Sequence, residues 1–67
     1  RTRVELTIYN LLGQEVTRLI DGPVERGAHA VVWNGANSAG NLVASGVYFY
    51  QLRLADRVAT RKMILLK

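Results

Sequence analysis

The stretch Ser45-Gly46-Val47-Tyr48-Phe49-Tyr50-Gln51-Leu52-Arg53-Leu54 decides the fold class. Tyr48, Tyr50, Leu52 and Leu54 fall on one parity, and Val47, Phe49, Gln51 and Arg53 on the other. A period of two belongs to a strand, because successive Cβ atoms point to opposite faces. The Tyr/Leu parity reads as the core face. Ser45-Gly46 before it reads as a turn, and Ala55-Asp56-Arg57 after it as a hairpin connection.

The same pattern extends outward. Val58 to Leu66 reads as the next strand, and its Met63-Ile64-Leu65-Leu66 run is apolar on both parities. Such a run suits a central strand or one that leans on a partner. Val4, Leu6 and Ile8 alternate with Glu5, Thr7 and Tyr9, which predicts a half-buried strand. Asn10 to Gln14 breaks that strand, with Gly13 expected at positive φ. Val16 to Ile20 reads as a further strand that stops at Asp21-Gly22-Pro23. After Gly27, Ala28 to Trp33 reads as a strand with His29, Val31 and Trp33 on one face. Asn34 to Asn41, with Gly35 and Gly40, is a polar loop, and Leu42 to Ala44 is a short strand before Gly46. No window has helical periodicity. About six strands at this spacing predict an all-β sandwich. The expected core is Val4, Leu6, Ile8, Val31, Trp33, Tyr48, Tyr50 and Leu52. The expected turn glycines are Gly13, Gly22, Gly27, Gly35, Gly40 and Gly46.

Composition bounds the class. A chain of 67 residues is one domain, and a fold of this size buries only about 60% of its unfolded surface. There is no Cys, so neither a disulfide nor a thiolate metal site is available. With 49% hydrophobic and 21% charged residues, the chain is not of the disordered type. Nine basic residues against five acids give +4. The bases are scattered apart from a loose group at Arg57, Arg61, Lys62 and Lys67, which reads as solvated faces rather than a nucleic-acid groove. No apolar run approaches a membrane span. With no initiator Met and no signal peptide, the chain reads as a segment that begins mid-protein.

Catalytic chemistry is not supported. His29 is the single His and has no Cys partner. A triad of Ser45, His29 and Asp56 lacks any motif setting, and neither Ser38 nor Ser45 sits in a nucleophile elbow. No carboxylate pair shares a strand face. The glycines are followed by no helix and so form no phosphate loop. The Asn34–Asn41 loop lacks the carboxylates of a calcium site, and turn chemistry accounts for its residues. No metal and no cofactor is expected, and the chain is not read as an enzyme. Trp33 reads as a core anchor, with a sugar-stacking platform as its alternative.

These residues carry a resemblance. The pattern is Val4-x-Leu6-x-Ile8-Tyr9-Asn10-x-x-Gly13-x-Glu15-Val16-x-x-Leu19, then Gly27-x-His29-x-Val31-x-Trp33-Asn34-Gly35 and Gly40. It continues with Ala44-Ser45-Gly46-Val47-Tyr48-Phe49-Tyr50-x-Leu52 and ends in Thr60-Arg61-Lys62-Met63-Ile64-Leu65-Leu66-Lys67. In this order it resembles the C-terminal sorting domain of type IX (Por) secretion cargo. It is also similar to the Ig-like domain of the flagellar hook-capping protein. Asn34 stands where the family usually has Asp, which removes charge from that loop. The family domain also starts earlier, with one or two strands before the one at Val4, and a complete Ig-like sandwich takes about 100 residues.

The resemblance implies an all-β, Ig-like β-sandwich of about six or seven antiparallel strands over residues 1–67, lacking its first strand or two. It implies a non-catalytic secretion-targeting and surface-display module, recognised by the outer-membrane secretion machinery. Arg61, Lys62, Met63, Ile64, Leu65, Leu66 and Lys67 are carried over as the translocon-recognition residues. The implied location is extracellular or at the cell surface, reached through the periplasm. The alternative is a structural subunit that self-associates through an open sheet edge into a filament or a strand-exchanged oligomer. A third, weaker option is an ancillary sugar- or surface-binding module resting on Trp33, Tyr9 and Phe49.

Overall fold

The computed structural model describes residues 2–25 and 30–66. Four strands form one sheet: β1 (Thr2–Tyr9), β2 (Glu15–Val24), β3 (Gly46–Leu54) and β4 (Arg57–Leu65). The sheet order is β2-β1-β3-β4, and every neighbouring pair is antiparallel. The fold is therefore all-β.

Register follows from side-chain chemistry. Leu6 pairs with Leu52 and Ile8 with Tyr50, while Tyr48 pairs with Met63. Directly paired residues share a face, so these pairs assemble one apolar inner face. The outer face carries Glu5 opposite Arg53 and Thr7 opposite Gln51. A one-residue slip would exchange the two faces, so hydrophobic burial fixes this pairing.

β2 and β3 flank β1 on opposite sides, so the connection between them must cross β1. β2 ends at one end of the sheet and β3 begins at the other, which sends the connection lengthwise along the sheet. Its described part, 30–45, lies against the inner face. The Trp33 ring stands edge-on to Tyr48 with centroids 5.2 Å apart. Trp33 Nε1 donates to the Ala36 carbonyl at 2.9 Å, and Ser38 N–H donates to Val16 O at 3.1 Å.

The core is thin, as the length demands. Among the described residues the buried apolar side chains are Val4, Ile8 and Tyr48, with Ile8 only 2% exposed. Leu6, Trp33, Tyr50 and Leu52 are half-buried.

Several sequence expectations need correction. The strand expected over Ala28 to Trp33 is not formed at 30–33, and Ala28 and His29 lie outside the described residues. Val31, expected in the core, is 44% exposed, and among the described residues it lies outside every strand of the sheet. Leu42 makes only an isolated bridge to Ala36. The strand expected at Val16 to Ile20 runs on through Asp21, Gly22 and Pro23 to Val24. Gly22 and Pro23 do not end it because β2 is an edge strand, where Pro is tolerated. The described residues thus hold one four-stranded sheet rather than two packed sheets.

The β1–β2 turn shows how local chemistry sets register. Asn10 Oδ1 accepts from Leu12 N–H at 2.9 Å and from Gln14 N–H at 3.0 Å. Gly13 follows with φ of +80°, as the sequence predicts. A Cβ there would meet no atom within 4 Å, so its penalty is purely conformational. Gly13→Ala should cost about 1–2 kcal/mol, the penalty of a left-handed L-residue. That corresponds to a melting point lowered by about 4–8 °C per kcal/mol, read by circular dichroism. Gly13→Asn should lose less, because Asn tolerates this region.

Candidate functional site

Three surfaces carry chemistry: the outer face, the inner face and the β4 edge.

On the outer face Arg3 pairs with Asp21 and lies 3.7 Å from Glu5. Arg18 reaches Asp21 and Glu15 at 3.2 Å each, and Glu5 at 4.0 Å. The hydrogen bonds that Arg18 donates to Asp21 first, then to Glu15, raise its pKa above the ordinary value. Strict alternation separates Arg18 from Glu15 and Asp21, which lie three positions away on either side. Two register shifts, at Leu6/Thr7 and Ile8/Tyr9, bring all three to one face. Each shift inserts an extra β2 residue, the geometry of a bulge. This cluster is an exposed structural network, so salt should change stability little. Sequence reading missed it because a bulge leaves no periodic signal, although charges recurring every three residues on β2 were its trace.

The inner face is an open groove of about 650 Å³. Leu6, Ile8, Leu19 and Ile20 form one side, and Leu52 and Met63 the other, with Trp33 over it. Both Leu19 and Ile20 line the groove, another consequence of the bulge. Among the described residues its lining is apolar apart from Thr2, Glu25, Tyr50 and the Trp33 indole. Among the described residues no cluster of His, Cys, Asp or Glu has metal-holding geometry.

Trp33 sits on this inner face, while Tyr9 pairs with Phe49 on the outer one. The three aromatics considered for sugar stacking therefore share no platform. The Asn34–Asn41 loop uses its side-chain oxygens internally. Asn34 Oδ1 accepts from Ala36 N–H, and Asn37 Oδ1 accepts from Ala39 and Asn41 N–H, all at 3.0 Å. These are Asx turns, the chemistry read from the sequence. Gly35 and Gly40 in the same loop have φ of +79° and +87°. Gly27 lies outside the described residues.

The carried-over recognition residues fall on β4 and just beyond it. Arg61 pairs with Tyr50, Lys62 with Phe49, Met63 with Tyr48, Ile64 with Val47 and Leu65 with Gly46. Met63 and Leu65 are half-buried on the inner face, while Arg61, Lys62, Ile64 and Leu66 are exposed. Lys67 lies outside the described residues. The two-sided apolar run does not make β4 central: among the described residues it is the sheet's edge, paired with β3 alone. Ile64 is 62% exposed and Leu66 84% exposed. Among the described residues no helix is long and apolar enough to cross a membrane.

Comparison with known proteins supplies one family. The family model described as the FlgD Ig-like domain matches residues 1–57. That span holds β1 to β3 and reaches the first residue of β4. No curated protein and no solved structure matches the chain. Three of the sheet's four strands, the Trp33 anchor and the Gly-Val-Tyr start of β3 lie inside the matched span, which covers most of the chain. The chain belongs to the FlgD Ig-like domain family, a family of structural rather than catalytic domains.

Proposed function

We propose that the domain is a non-catalytic sorting and display module of the type IX secretion kind, recognised through β4 by outer-membrane secretion machinery. In this reading the inner face is the interior of an Ig-like sandwich, and the domain acts outside the cell or at its surface. The observation that carries the reading is the placement of β4. The Arg-Lys-Met-Ile-Leu-Leu segment lies on a sheet edge, and β4 pairs with β3 at nine positions from Arg57 to Leu65. It offers Arg61 and Lys62 to a receptor together with exposed Ile64 and Leu66. β4 also lies almost wholly beyond the residues matched by the structural family.

Self-assembly of copies is the weaker reading, because each copy carries a charge of +4. The test is export of the parent protein. Deleting Lys62–Lys67 should leave the cargo in the periplasm. Arg61→Glu with Lys62→Glu, which keeps the strand, should reduce export about tenfold or more if these charges carry 1.4 kcal/mol of recognition. Normal export of the deletion variant overturns the reading.

A further inference from the structure

The two edges of the sheet differ in kind. β2 is guarded in the ways natural edges are guarded. Pro23 has no N–H to donate, and two bulges interrupt the strand. Val16 O is already taken by Ser38 N–H. Its acids Glu15 and Asp21 are engaged by Arg3 and Arg18.

β4 lacks the proline and the bulges, and its only guard is charge. Arg57 to Leu65 contains neither Pro nor Gly and stays in register with β3 throughout. The two-residue turn at Ala55-Asp56 makes Leu54 and Arg57 the closing pair. Hydrogen-bonded pairs then alternate along the ladder. It follows that Val58, Thr60, Lys62 and Ile64 direct their N–H and C=O groups away from β3, to the open edge.

Charge decides what such an edge accepts. From Arg57 to Leu66 there are three cations and no acid. Among the described residues none of the three has an ion-pair partner. Three of the chain's five acids, Glu5, Glu15 and Asp21, are held by Arg3 and Arg18 on β1 and β2. A second β4 would bring like charges against these cations, whereas an acidic strand would be attracted. The cations thus reject one partner and select another. Beyond Lys62 the strand turns apolar, with Met63 and Leu65 on the inner face and Ile64 on the outer.

We propose that the β4 edge binds, by strand addition, an extended segment of another protein, acidic beside Arg61 and Lys62 and aliphatic beside Met63 to Leu65. Main-chain hydrogen bonds supply affinity in this mode, and alternate side chains supply specificity. The inference rests on the reading of β4 as the recognised strand and adds its mode and its partner's chemistry.

The test uses the 67-residue chain and synthetic peptides of a length to match β4. One alternates Val and Thr in one half and Glu and Thr in the other; a second has Lys for Glu; a third is the Glu peptide N-methylated at alternate residues. Amide hydrogen exchange is read residue by residue. With the Glu peptide at about ten times its Kd, exchange at Val58, Thr60, Lys62 and Ile64 should slow about tenfold. Exchange at Ala59, Arg61 and Met63, already bonded to β3, should be unchanged. Added salt should weaken the effect. Neither the Lys peptide nor the N-methylated peptide should produce it. Thr60→Pro removes one outward N–H without touching the β3 ladder, and should abolish the protection. Equal protection by the Glu and Lys peptides overturns the proposal. So does a response centred on β2 or on the groove. So does protection that appears without peptide as protein concentration and mass rise together, since the occupant is then a second copy. No export is involved, so failure here overturns strand addition and leaves the deletion test of sorting standing on its own.

Discussion

Ile8→Ala is expected to be the most damaging single substitution in the sheet. Ile8 is 2% exposed, in the central strand pair, with Tyr50 beside it on β3 and Thr17 on β2. Truncating a buried Ile removes its transfer free energy and leaves a cavity, about 2–5 kcal/mol together. A core of this size supplies only about 3–5 kcal/mol of net stability. The variant should therefore be largely unfolded in buffer, seen as loss of the strand signal in circular dichroism and collapse of amide dispersion. Leu12→Ala is the control. Leu12 is 82% exposed at the tip of the β1–β2 turn, and its loss should change stability by less than about 0.5 kcal/mol. Equal effects from the two variants would mean that the core does not lie between β1 and β3.

Trp33→Ala is expected to come second. Trp33 is the only Trp; its ring docks 30–45 on the sheet at Tyr48, and its N–H bond to the Ala36 carbonyl closes a turn within that segment. Loss of a fully buried Trp costs about 3–5 kcal/mol. This ring is half-buried, which places the expected loss near the lower end, about 2–3 kcal/mol. Trp33→Phe keeps a ring beside Tyr48 but drops the N–H donor, and should cost about 1 kcal/mol. Urea titration reads both costs. The same indole reports on docking directly: in the native chain its fluorescence should resist acrylamide quenching and lose that protection on unfolding. A Trp33→Ala variant as stable as the parent would show that 30–45 contributes nothing to the sheet.

Reading the sequence succeeded where the signal is local and failed where it is not. Val4 to Ile8 and Val47 to Leu54 announce strands because burial on one face imposes a period of two. The Asn10–Gln14 turn was legible because Asn and Gly solve a specific backbone problem there. β2 was only half legible. Its bulges shift the parity of Arg18 against Glu15 and Asp21, and its Gly22-Pro23 pair reads as an ending. Both features are permitted by an edge position, which pairing alone confers. Val31 misled for a related reason: an apolar residue two positions from Trp33 looks like core, yet among the described residues it joins no strand and stays 44% exposed.

The candidate site shows the same division. The sequence singled out Arg61 to Leu66 as a basic and doubly apolar run, but a two-sided apolar strand suits a sheet centre as well as a contact surface. Only the strand order places it at an edge. By itself, then, the sequence determined an all-β chain, three of its strands, its turn chemistry and the absence of any cysteine chemistry. Tertiary structure decided which strands are neighbours, which edge is guarded, and that three acids are engaged away from β4. The physical reason is range. Alternation and turn preference act between residues a few positions apart, whereas sheet order depends on contacts between β1 and β3, some forty residues apart in the chain.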